Sequence, residues 1–306
     1  MNFPVSGVEI PALYLVLTGF IVGVLAGFYG VGGGSKTGPI MYFIGGGALT
    51  WNYIIGTDLA NIVGQSIVAL RRHHTLGHVD LKLAVLMTLG TIPGIELGAN
   101  ILEVLKGESL ETLTLFVSIS YILILSAMSV FVFWESRKAH KLLREDDIDA
   151  RDVVAFQGVS KRVKTLRVPP MVSLKTSGIK EISVWIIILV SFATGVLTGF
   201  LGVGGGFVRM PVLVYVLGVP THVAVGTDLL EIVVSAGYGA FTHSLKGNVD
   251  FLMALVMLTG AAIGAQTGAS LTKYVRGPRI RQVFGLFLPV GAILVLYTLL
   301  TGGALG

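Results

Sequence analysis

Long uncharged stretches alternate with short charged ones along the chain. Residues Ile10 to Ser35, Thr112 to Trp134, Ile182 to Val208, Phe251 to Thr272 and Gln282 to Gly306 contain no acidic or basic side chain. Three further apolar stretches, near Tyr53 to Leu70, Leu83 to Leu102 and Thr221 to Leu245, are interrupted only by isolated acids. A run of about 20 apolar residues is long enough to cross a bilayer as a helix. Within hydrocarbon the backbone must satisfy its own hydrogen bonds, which leaves helices as the element that such runs form. The pattern predicts an all-α integral membrane protein with about eight transmembrane helices.

Composition agrees: hydrophobic residues make up 53% of the 306 positions and charged residues 13%, so lipid rather than water is the solvent to reason with. The first apolar run has no basic region before it, only Glu9 nearby, and exceeds the length of a secretory signal core, so it is read as a span. There is no cysteine, which excludes disulfides and thiolate metal sites. The net charge of +5 is modest, but half of the 22 Lys and Arg lie between Arg137 and Lys180, mixed with Glu145, Asp146 and Asp147. That segment reads as a polar linker, 135–181, between membrane units 1–134 and 182–306. Basic residues favour the cytoplasm, and counted along eight spans they put the linker and the N-terminus there together, with Arg71, Arg72, Lys82 and Lys246.

The stretch "GVGGGSKT", Gly30 to Thr37, comes within one residue of a phosphate-binding loop, but Ser35 stands where that loop needs glycine and no strand precedes it. An internal repeat explains it better. "TGFLGVGGGFVRMPVL", from Thr198, matches "AGFYGVGGGSKTGPIM", from Ala26, at a spacing of 172, and "VGTDLLEIV" matches "IGTDLANIV" at a spacing of 170. The second spacing persists through His73 and His243, Asp80 and Asp250, Gly90 and Gly260, and Gly98 and Gly268. Each unit is thus one four-span repeat. What recurs is a glycine cluster, a nearby basic residue, a proline and an apolar segment of about a dozen residues, too short to span at about 1.5 Å per residue. This predicts a helix broken at glycine and followed by a half-helix or re-entrant turn, whose unpaired N–H groups suit an anion. Close helix packing is the alternative reading of the glycines. Broken helices at corresponding places in two repeats point to a transport site.

The paired "GxGGG…P" and "GTDL" motifs in a two-repeat, eight-span chain resemble the TauE/SafE sulfite-exporter family of membrane permeases. The resemblance covers nearly the whole chain and is weakest in the linker and around Gly45-Gly46-Gly47. It implies a secondary carrier for small anions, often sulfite or organosulfonates, in a prokaryotic plasma membrane.

The candidate substrate site comprises Gly32, Gly33, Gly34 and Lys36 with Gly204, Gly205, Gly206 and Arg209. A basic side chain beside a helix N-terminus strengthens an anion site, although Lys36 and Arg209 could equally reach out to the membrane interface. They are 173 apart rather than 172, so one lies about 100° around the helix from the other's place. Asp58 and Asp228 follow Gly-Thr and read either as helix caps or as proton-coupling acids, since ionised groups at membrane depth usually mark a pathway. Asp228 with Glu231 one turn on is the stronger proton-carrying candidate; at the spacing of 170 the counterpart of Glu231 is Asn61, and that of Glu96 is Gln266. His73, His74, His78 and His243 sit beside Arg71, Arg72 and Lys246, where basic neighbours repel a metal cation, and read as interface anchors. No nucleophile with a base and an orienting group is present, so no catalytic site, cofactor or nucleic-acid partner is expected. The expected partners are a small anion and the lipid bilayer, with room for a homo-oligomer. An anion channel, or an intramembrane enzyme or assembly factor, is the alternative class.

Overall fold

The computed structural model describes residues 1–45, 48–145, 160, 162–163, 165–202 and 204–301. Its elements in chain order are α1 (Ala12–Tyr29), α2 (Gly34–Ile44), α3 (Trp51–Thr75), α4 (Leu81–Glu108) and α5 (Leu110–Glu145). A hairpin of β1 (Met171–Leu174) and β2 (Ile179–Ser183) follows, paired antiparallel. Then come α6 (Val184–Leu201), α7 (Gly206–Val212) with a π-helical turn at Leu213–Leu217, α8 (Thr221–Leu245), α9 (Phe251–Leu271) and α10 (Gly277–Leu300). Eight of these helices, all but α2 and α7, are long and apolar enough to cross a membrane. Helix α5 runs on past residue 134, and Glu135 within it is fully buried.

Small residues set the packing. A Cβ built at Gly19, Gly23 or Gly27 of α1 would lie 2.1, 2.4 or 2.2 Å from the carbonyl oxygens of Met257, Ala261 and Ala265 on α9. Gly260, Gly264 and Gly268 of α9 meet the carbonyls of Val16, Phe20 and Val24 in return. The numbers rise together, so α1 and α9 run parallel with their backbones in contact. Helices α4 and α6 form the same kind of seam, Gly90, Gly94 and Gly98 against the carbonyls of Ile188, Phe192 and Val196. Without a hydrophobic drive between helices in lipid, such close approach is what holds them together. Each seam joins a helix from one half of the chain to a helix from the other. In the same way α3 packs against α8, and α5 antiparallel against α10, with Ser129 Oγ donating to the Gly285 carbonyl (2.8 Å) and Ser136 Oγ to that of Pro278 (2.8 Å).

The two ends of the bundle can be told apart by their contacts. At one end Ser6 donates to Asp250 (N 3.2 Å, Oγ 3.1 Å), and Asn52 and Lys106 both reach Asn248 (3.1 and 2.8 Å), which gathers the N-terminus, the start of α3, the end of α4 and the α8–α9 connection. At the other, Ser177 of the hairpin donates to Asp80 (N 3.1 Å, Oγ 2.7 Å), and Lys82 Nζ donates to the Ser173 carbonyl (3.2 Å). The linker hairpin and the N-terminus therefore lie at opposite ends. This corrects the expectation that they share a side, and Lys246 belongs to the N-terminal end, where it donates to Asn100 (2.8 Å). The physical reason is the short helices. After α1, the chain turns at Gly30 to Gly33 and α2 leads it back beside α10, with Phe43 against Tyr297 (5.9 Å), so each half makes an odd number of passages. Matching helices of the two halves consequently run in opposite senses.

Candidate functional site

Helix α1 ends where Gly30 enters the left-handed region (φ 70°), and α6 ends the same way at Gly202 (φ 68°). Gly32 and Gly33 (φ 70° and 87°) and Gly204 and Gly205 (φ 65° and 71°) continue the turns, a conformation that side chains other than glycine adopt at a cost of order 1–3 kcal/mol. Gly34 and Gly206 then open α2 and α7. Gly206 has its own reason to be small: a Cβ there would come 2.6 Å from the Val31 Cα, because the two loops touch each other. Both loops rest on the same pair of side chains, Ile62 of α3 and Ile232 of α8, which approach Gly32 and Gly204 alike. The two predicted helix breaks thus meet at the centre of the bundle.

The "GTD" motif locks this centre in place. A Cβ at Gly56 would lie 2.2 Å from the Asn248 carbonyl oxygen and one at Gly226 2.3 Å from that of His78, so each glycine admits the connecting loop of the opposite half. Thr57 Oγ1 accepts from Asp250 N (2.9 Å), and Thr227 Oγ1 accepts from Asp80 N (2.9 Å). Asp80 and Asp250 are the true caps, accepting from Leu83 N (3.1 Å) and Met253 N (3.2 Å). Asp58 and Asp228 lie about two turns inside α3 and α8, which removes the capping reading for them. With Asn61 and Gln65, and with Glu231 and Ser235, they form matching polar stripes at i, i+3 and i+7, all buried.

The stripes differ in charge pairing. In the second half, fully buried Arg209 donates from Nη1 to Asp228 Oδ1 (3.1 Å) and to Glu231 Oε2, and from Nε to Thr194 Oγ1 (3.3 Å). Ser235 Oγ donates to Glu231 (3.2 Å). Among the described residues, Arg209 Nη2, Asp228 Oδ2 and Glu231 Oε1 are left without protein partners. In the first half, Lys36 is turned away: its Nζ donates to Ser35 Oγ (2.9 Å) and lies over the rings of Phe284 (5.1 Å) and Tyr29 (5.7 Å). Thr37, 172 residues before Arg209, stands next to Asp58 instead. The one-residue slip in sequence is therefore a real change of direction, and Lys36 and Arg209 are not equivalent partners of the two aspartates. Nor is Lys36 at the interface, being buried.

Glu96 lies elsewhere. It accepts from Tyr238 (3.2 Å) and Thr242 (3.3 Å) between α4 and α8, half-buried, and is not brought to the glycine loops. His73 and His243 are fully buried rather than at an interface: each bonds through Nε2 to a carbonyl near the end of a broken helix, Gly27 (3.1 Å) and Gly199 (3.0 Å). Sequence reasoning missed Gln65, whose Nε2 donates to the Gly32 carbonyl, and the buried set Glu135, Tyr215 and Arg281 at the linker end, where Tyr215 donates to Glu135 (2.6 Å) and Arg281 pairs with it (3.4 Å). The spacing of 170 could have found Gln65, opposite Ser235; nothing in the pattern flagged the other three.

Two broken helices meeting at a buried charged centre inside an eight-span bundle define a membrane transporter. The chain belongs to the sulfite exporter TauE/SafE family, whose model matches residues 15–295. It is 25% identical over 283 residues to the probable membrane transporter protein YunE of Bacillus subtilis, covering 90% of this chain and 93% of that protein. The probable membrane transporter protein MJ0441 of Methanocaldococcus jannaschii is 22% identical over 92% of this chain and 94% of its own length. YdhB of Bacillus subtilis, another probable membrane transporter protein, is 32% identical over 37% of this chain and 46% of its own. No solved structure matches.

Proposed function

We propose that this transporter is a secondary carrier of a small oxyanion, sulfite or an organosulfonate, bound where the two glycine loops meet and beside Arg209. One observation carries the reading: Arg209 is buried at that junction with Nη2 unpartnered, while two carboxylates hold its other nitrogen. An arriving anion competes with Asp228 and Glu231 for the guanidinium. Two carboxylates and an anion around one cation are favourable only if a proton arrives as well. Anion uptake is therefore coupled to protonation of this pair. The repeats 1–134 and 182–306 contribute one loop each, and the linker joins them.

The same geometry supports an orientation. Arg71, Arg72, Lys82, Lys175, Lys180, Lys273, Arg276 and Arg279 cluster at the linker end, whereas Lys106 and Lys246 lie at the N-terminal end. Since basic residues favour the cytoplasm, the linker end faces inward in the cell membrane and the N-terminus outward. This holds without counting the linker, because α2 and α7 change the number of passages.

The deciding experiment is flux in proteoliposomes for sulfite, sulfate, sulfonates and carboxylates, with and without a pH gradient and without nucleotide. Sulfite or sulfonate flux that an imposed pH gradient drives, and that Arg209→Gln lowers at least about tenfold, about 1.4 kcal/mol of lost binding, is the expected result. Nucleotide-dependent flux, or flux indifferent to Arg209, overturns the reading.

A further inference from the structure

Asp58 is the charged group that the Arg209 centre does not explain. Its side chain is 1% exposed, and among the described residues neither carboxylate oxygen has a hydrogen bond of normal geometry, its polar neighbours being Thr37 and Asn61. One turn on, Asn61 is equally buried with both amide atoms unpartnered among the described residues, and two turns on Gln65 Oε1 is unpartnered too. The Gln65 amide is oriented by its donation to the Gly32 carbonyl, which turns Oε1 away from that carbonyl. Thr37 flanks the carboxylate but directs its own hydroxyl to the Gly33 carbonyl (3.3 Å). Oxygen atoms thus dominate the surroundings, on one face of α3 and the first turn of α2.

Among the described residues no basic side chain pairs with this carboxylate. From α2, Lys36 points to Tyr29 and Phe284; from α7, Arg209 is committed to Asp228 and Glu231 of α8. From α5, Tyr121 faces it but donates its hydroxyl to the Leu201 carbonyl (2.7 Å). An ionised carboxylate buried alone costs far more than the few kcal/mol of a misplaced polar group. A buried carboxylate with hydroxyl and amide oxygens beside it is complemented by a small cation.

We propose that Asp58, with Asn61, Gln65 and Thr37, is a binding site for a monovalent cation, sodium or hydronium, separate from the anion centre at Arg209. It deepens the carrier reading by giving the two halves different cargo: the first takes the cation, the second the anion. Cation occupancy is a property of the purified protein and needs no transported substrate to show itself.

The test is thermal unfolding of the detergent-solubilised full chain. In one arm sodium chloride replaces choline chloride at constant pH and constant chloride; in the other, pH is varied in choline chloride alone. Ligand binding to the native state raises Tm in a saturable way. Wild type is expected to respond in one arm, Asp58→Asn to lose that part of the response, and Asp228→Asn to keep it. The Asp58→Asn change is isosteric and removes an unpaired buried charge, so it should fold; Asn61→Leu, which removes one oxygen while leaving the charge, should shift the sodium response to higher concentration or the pH response to another midpoint. A sodium response that Asp58→Asn removes identifies a metal cation, and a pH response that Asp58→Asn removes identifies a proton. Loss of neither response in Asp58→Asn, or a wild type indifferent in both arms, overturns the proposal. If the cation response stands while no anion flux is found, the carrier reading fails and the cation site survives.

Discussion

Single residues at the centre are held in place by what surrounds them, and Arg209 shows the consequence most directly. Removing the guanidinium by Arg209→Gln leaves Asp228 and Glu231 buried beside each other without a counter-charge, which should cost about 3–5 kcal/mol of stability. Adding Asp228→Asn and Glu231→Gln to that variant should restore most of the loss, because the uncompensated charge goes with them. Thermal unfolding of the single and combined variants measures this, and strictly additive losses would contradict it. Outside the membrane spans, burial and neighbouring His222 push the His78 imidazole down to about 4. A depressed histidine favours the folded state only while neutral, so its contribution is complete above the unfolded value of about 6.5. It is lost as pH falls from there toward about 4. Replacing His78 with Gln should flatten that limb of a Tm-against-pH curve, and an unchanged limb would assign it to other groups. At this scale the sequence marked out the glycines and the aspartates by their repetition, and Arg209, whose place in the first half is taken by Thr37, only by its charge. It could not announce that Lys36 faces rings, because direction around a helix changes by about 100° with one residue of slip.

Helices here are joined by contact between backbones, so the elements should be sensitive where the seams are and tolerant elsewhere. Gly23→Leu places a side chain where the Ala261 carbonyl already sits and should destabilise the α1–α9 pair by about 3 kcal/mol or more. Gly107→Ala near the end of α4 meets nothing within 4 Å and should gain about 0.5–1 kcal/mol of helix propensity. Thermal unfolding of the two variants gives the comparison, and equal effects would mean that the seams do not carry stability. The spans themselves were legible from uninterrupted apolar runs such as Phe251 to Thr272, since length and apolarity alone decide whether a helix can cross. Helix α5 was cut short at 134 because charges at Glu135, Arg137 and Lys138 read as solvent, while Glu135 is in fact enclosed and paired with Tyr215 and Arg281.

For the whole molecule, the number of passages decides which ends share a compartment, and short helices such as α2 are where an apolar count goes astray. The chain has no cysteine, so single cysteines report topology without background. Glu9→Cys should react in intact cells with a membrane-impermeant maleimide, and Thr176→Cys of the linker hairpin only after permeabilisation. Labelling of both from one side would refute the arrangement of opposite ends. The seams carry a mechanical meaning as well. Since α1 is fastened to α9 and α4 to α6, the two halves of the polypeptide are cross-strapped and cannot rock against each other as separate blocks. Any rigid-body motion would have to divide the bundle into mixed pairs, each built from both halves, with the α3–α8 contact, where Ile62 and Ile232 carry both glycine loops, lying between them.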